Sequence, residues 1–156
     1  MRTVLWFRFM ATEVAAFQNS RELASFFQVI VTAAPGYTLS ELEQVVAEEI
    51  ATLAGEGPTE SELERSLVQA EAQFVYRLQT VGGFGGKSDQ LNAYSVFLDD
   101  PGYFDRDLAR YQQTFTASLR DHVRQYLMTD RRVTLSVVPR GHTELAIPGS
   151  EPVVVR

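Results

Sequence analysis

Two periods of apolar spacing divide this chain. Leu63, Leu67, Ala70, Phe74 and Leu78 recur at intervals of four, three, four and four, laying one stripe along a helix predicted over 59–80. Thr59 and Glu62 in front of the stripe read as a capping box, which satisfies two free amide donors at the helix start. Leu39, Leu42, Val46, Ile50 and Leu53 form a second stripe behind Thr38 and Glu41, predicting a helix over 38–54. Gly55-Glu56-Gly57-Pro58 separates the two and predicts antiparallel neighbouring helices.

A period of two marks the strands. Residues 12–17 and 24–33 read as strands joined by the polar Gln18-Asn19-Ser20-Arg21-Glu22, a hairpin-like return. Phe27, Val29 and Val31 share one face of the second strand, while Phe26, Gln28, Ile30 and Thr32 share the other. Residues 131–138 read as a third strand, with Val133, Leu135 and Val137 alternating with Thr134, Ser136 and Val138. Between them, Ser88 or Asp89 is expected to cap a helix carrying Leu91, Tyr94, Phe97 and Leu98, closed by the turn Asp99-Asp100-Pro101-Gly102. A brief helical piece around Phe104, Leu108 and Tyr111 precedes a helix from Thr116 with Leu119 and Val123 inward. The expected class is α+β, a two-layer sandwich whose antiparallel sheet of at least three strands packs on several helices. The expected domain covers 1–140, and 141–156 reads as a tail with at most one edge strand.

Composition narrows the function classes. A chain of 156 residues with 45% hydrophobic and 22% charged side chains fits one globular domain, able in principle to bury roughly two thirds of its unfolded surface. Its net charge of −6 disfavours nucleic acid, whose phosphates reward Lys and Arg. Without cysteine, disulfides, thiolate metal sites and cysteine catalysis are excluded, and the compartment is unreadable. No segment reaches the roughly 18–20 apolar residues of a membrane span. Met1 to Phe7 opens apolar, but Arg8 breaks the run and no cleavage site follows, so it reads as part of the fold rather than a signal peptide.

Each candidate for chemistry meets an obstacle. Gly82-Gly83-Phe84-Gly85-Gly86-Lys87-Ser88 suggests a phosphate loop, but the required first glycine is replaced by Val81 and a helix rather than a strand leads in. It reads as a flexible break between helices. His122 and His142 are the two histidines, neither paired with another at metal-site spacing, and both read as surface groups. Glu48, Glu49, Glu60, Glu62 and Glu64 read as solvated charge at helix starts and polar faces. No serine stands in a nucleophile elbow. The residues alone therefore assign no catalytic and no metal-binding group.

An ordered set of motifs carries more than any one of them. Phe17-Gln18-Asn19-Ser20-Arg21-Glu22-Leu23, the strand from Phe27, the helix entry Gly57-Pro58-Thr59-Glu60-Ser61-Glu62-Leu63, Asp100-Pro101, Thr114 and the segment 133–139 together resemble the C-terminal half-domain of insulinase-like (pitrilysin-type) zinc metallopeptidases. In that family homologous α+β halves enclose a chamber; one half carries an inverted H-x-x-E-H zinc site and others help to hold an extended peptide. This sequence lacks the zinc motif, so the resemblance implies a non-catalytic half, with no cofactor of its own and zinc in a catalytic partner half. Where some members place an arginine and a tyrosine near the substrate, this chain has Leu5 and Thr12, so no individual catalytic residue carries over. The resemblance also implies a C-terminal fragment or truncated copy of the family's half-domain.

The expectation is a substrate-cradling half that partners a catalytic half-domain or chain and binds extended peptides at a sheet edge, on Phe27, Gln28, Val29, Ile30 and Val31. The alternative is a structural or dimerising module whose sheet a second copy completes.

Overall fold

The computed structural model describes residues 9–20, 23–128 and 130–153. In order, β1 (Ala11–Asn19) and β2 (Phe26–Ala33) precede five helices: α1 (Leu39–Glu56), α2 (Glu60–Gln79), α3 (Lys87–Leu98), α4 (Phe104–Gln112) and α5 (Thr116–Tyr126). A 3-10 turn, Thr143–Leu145, follows. The class is α+β, as the mixed periods require. The chain divides into two compact units, residues 1–52 with 126–156, and residues 53–125.

In the first unit the strands pair antiparallel, with Val14 opposite Val31, Ala16 opposite Val29 and Gln18 opposite Phe27. A register shift between Ala11 and Glu13 inserts Thr12 as an extra residue, and Ala11 then faces Ala33. The bulge matters because period-two alternation would otherwise turn Ala11 away from the face that carries Val14. Met10, Ala11 and Leu42 are buried together, with Val31, Ala33, Leu39 and Val45 packed around them. The start of the hairpin thus lies on the first two turns of α1. On β2, Val29, Val31 and Ala33 of one face are half-buried, whereas Ile30 and Thr32 on the other face are exposed.

The expected third strand is not formed. Among the described residues the sheet has two strands, β1 and β2, and 131–138 carry no ladder. Val133 and Val137, on the apolar side of the expected alternation, are 95% and 82% exposed. Alternation alone makes a segment fit for a sheet, but a strand exists only where a neighbour supplies the backbone partners. The expected edge strand in 141–156 is likewise absent from the described part; residues 154–156, and the Met1 to Phe7 run with Leu5, lie outside the described residues.

In the second unit the predicted stripe of α2 is the inward one: Leu63 is buried and Leu67, Ala70, Phe74 and Leu78 are half-buried. Phe74 meets Phe104 at 4.7 Å and Tyr111 at 6.0 Å between ring centroids, which fixes α4 against α2. Both capping boxes form. Thr59 N and Oγ1 donate to Glu62 Oε2 at 2.9 and 2.8 Å, and Glu62 N donates back to Thr59 Oγ1 at 3.3 Å. Thr38 N and Oγ1 both donate to Glu41 Oε2 at 2.8 Å.

The glycine break is ordered by hydrogen bonds rather than slack. Lys87 N donates to Thr80 O at 2.8 Å and Ser88 N to Val81 O at 3.1 Å. A Cβ on Gly86 would lie 2.8 Å from Gly82 O, so the loop closes only around a glycine. Neither Ser88 nor Asp89 caps α3: the N-cap is Gly86, with no side-chain cap. Asp89 Oδ2 instead accepts from Gly85 N at 2.8 Å.

Candidate functional site

The five residues expected to meet a peptide lie in one strand. Phe27 and Ile30 are exposed, while Gln28, Val29 and Val31 are half-buried. Val31 packs on the Met10, Ala11 and Leu42 cluster, so it is part of the core rather than a free contact. In a two-stranded sheet each strand has one unpaired side, and β2 therefore presents a row of backbone donors and acceptors without a ladder partner among the described residues. Phe27, 44% exposed, and Ile30 stand on opposite faces of that row. Thr12 occupies the bulge of β1, where its Oγ1 donates to Thr32 O at 3.3 Å.

No group of three or more His, Asp or Glu stands close enough to hold a metal ion among the described residues. His122 Nδ1 lies 2.7 Å from Ser118 O, one turn back on its own helix. His142 Nδ1 lies 2.9 Å from Glu144 Oε1 in an exposed loop. The donors among the described residues therefore do not gather as a hydrolytic zinc site does, which draws two or three ligands to one point.

The glutamates divide more finely than the sequence suggested. Glu41 and Glu62 are held below the ordinary carboxylate range, first by the backbone N–H and then by the hydroxyl of Thr38 and Thr59 respectively. Glu48 is solvated and accepts from Gln44 Nε2 at 2.9 Å. Glu49 corrects the expectation: its Oε1 is buried with no hydrogen-bond partner among the described residues.

A groove that sequence reasoning missed runs along α2 in the second unit. Leu63, Leu67, Val68, Leu108, Tyr111 and Phe115 line it, with Glu60, Glu64 and Glu71 beside them, around a space of about 380 Å3. The signal was present: Glu60, Glu64, Val68 and Glu71 follow one another at helical spacing, a second stripe beside the apolar one.

The family comparison falls mainly on the first unit and reaches into the second. Residues 6–69 match the family model described as the Peptidase M16 inactive domain. The match takes in β1, β2, α1 and the first half of α2. No curated protein and no solved structure matches the chain. Residues 6–69, less than half of the chain, are thus similar to the inactive domain of M16 (insulinase-like) peptidases, the resemblance that the ordered motifs carry.

Proposed function

We propose that this chain is a substrate-cradling and interaction domain of an insulinase-like zinc peptidase, with proteolysis performed by a partner half that holds the zinc. The observation that carries this reading is the position of the family match over the β1–β2 hairpin, whose second strand has an unpaired edge. An extended peptide laid along that edge gains main-chain hydrogen bonds in a row, and alternate side chains reach Phe27 on one face or Ile30 on the other. In this reading the zinc and the bond-breaking chemistry belong to the partner half, and the role of this chain is to bind and align. Amide hydrogen exchange on the complex with its catalytic partner tests the placement. Adding an unstructured peptide is expected to slow exchange in β2 selectively; unchanged exchange along 26–33 at saturating peptide would remove the edge from the account.

A further inference from the structure

The groove on α2 shares no residue with the β1–β2 hairpin on which the peptidase reading rests, although its wall from Glu60 to Val68 lies within the matched segment. Its apolar part is open: Val68 is 63% and Phe115 60% exposed, and Tyr111 is exposed beside them. Three glutamates stand along the same wall, and none is engaged in an ion pair among the described residues. Glu60 accepts from Thr116 Oγ1 at 3.3 Å and Glu71 from Gln112 Nε2 at 3.4 Å, neutral donors that leave the charges uncompensated. No Lys or Arg lines the groove. Residues 53–125 as a whole carry eleven Asp and Glu against seven Lys and Arg, so the surrounding field is of the same sign.

We propose that this groove docks a cationic segment of a partner protein, in which apolar anchors alternate with arginine or lysine. The apolar anchors cover Val68, Tyr111 and Phe115, and the cations answer Glu60, Glu64 and Glu71. At about 380 Å3 the space lies near the low end of ligand-site volumes, which are roughly 300–1,000 Å3, and suits a few anchor side chains of a short segment. An acidic occupant is rejected because it would bring like charges together across a low-dielectric floor. A purely polar cation leaves the apolar floor in water.

Fluorescence anisotropy with the full chain and three labelled ten-residue peptides tests this: one alternating Arg with Leu, one Glu with Leu, one Arg with Ser. Only the Arg/Leu peptide is expected to bind, more weakly as salt rises. The triple variant E60Q, E64Q, E71Q should weaken it by about tenfold, the sum of three exposed ion pairs. Val68→Ser, at an exposed position, removes an apolar anchor, adds no charge beside Glu64 and Glu71, and should also weaken binding, so it serves if the triple variant fails to fold. Equal binding of the Glu/Leu or Arg/Ser peptide, unchanged affinity in these variants, or no binding at millimolar peptide would overturn the proposal. So would self-association of the chain that Val68→Ser abolishes while no peptide binds, because the occupant would then be a second copy.

Discussion

Tyr94 Oη donates to Asp107 Oδ2 at 2.7 Å, tying the middle of α3 to the first turn of α4. Tyr94 is the buried residue of α3, and its ring also meets Tyr103 at 5.8 Å. Burial first, and then the neighbouring Asp107 carboxylate, push the Tyr94 hydroxyl well above the ordinary tyrosine range. Tyr94→Phe keeps the ring and removes the donor, at a cost of about 1.5 kcal/mol, the lower end for a hydrogen bond to a charged group. Urea denaturation checks it. The sign of the pH effect follows from a raised folded pKa: the bond's contribution is complete below the usual tyrosine pKa of about 10 and is lost as pH climbs above it. The stability gap between the native protein and Tyr94→Phe should therefore close in strong alkali.

The two capping boxes give the opposite pH dependence. Glu41 and Glu62 have lowered folded pKa values, so their contribution is present above the usual glutamate pKa of about 4.3 and fades as pH falls through the folded values. Thr59→Ala should cost about 1 kcal/mol at neutral pH and less in acid, measured by thermal melts across pH 2–7.

Gly57 ends α1 with φ +77°, its N–H donating to Leu53 O at 3.0 Å. A Cβ there would lie 3.3 Å from Arg120 Cβ. Arg124 supports the same helix end, its Nε bonded to Ala54 O and its Nη2 3.2 Å from Gly55 O. Gly57→Ala should destabilise by about 1–2 kcal/mol, the cost of a left-handed backbone for an L-residue. A midpoint shift in denaturant with unchanged slope is the expected record.

Glu49 offers a stabilising change. Its buried Oε1 has no partner among the described residues, so replacing the carboxylate by an apolar side chain of similar length removes a desolvation cost. Glu49→Met should be neutral or raise the melting temperature; a marked fall would mean that the carboxylate has a partner after all.

Local chemistry was legible in the sequence wherever one segment carries the whole device. The stripe from Leu63 to Leu78, the Thr38/Glu41 and Thr59/Glu62 boxes and the Gly57 stop all form as their spacing requires. What failed needed a distant partner. Residues 131–138 have the alternation of a strand, but whether a neighbour pairs with them is not written in their own pattern. Asp89 was misread because a capping aspartate and one that accepts from a preceding loop amide look alike until the loop is folded. The groove was missed because its walls, α2 and the 108–115 stretch, are separated by some forty residues, and only the α2 half shows a stripe. Glu49 differs from Glu48 by its side of a helix turn, which places one oxygen out of water and leaves the other residue solvated.

The central claim is that this chain aligns peptide for a zinc-bearing partner half and breaks no bond itself. The most direct test follows cleavage of an unstructured peptide by the chain alone, by its zinc-bearing partner half alone and by the two together, the last also with the double variant F27K, I30K. The account predicts no cleavage by the chain alone, faster chelator-sensitive cleavage by the pair than by the partner, and loss of that gain in the variant through a raised KM. Cleavage by the chain alone in the presence of chelator, or a partner whose rate the chain leaves unchanged, would contradict it.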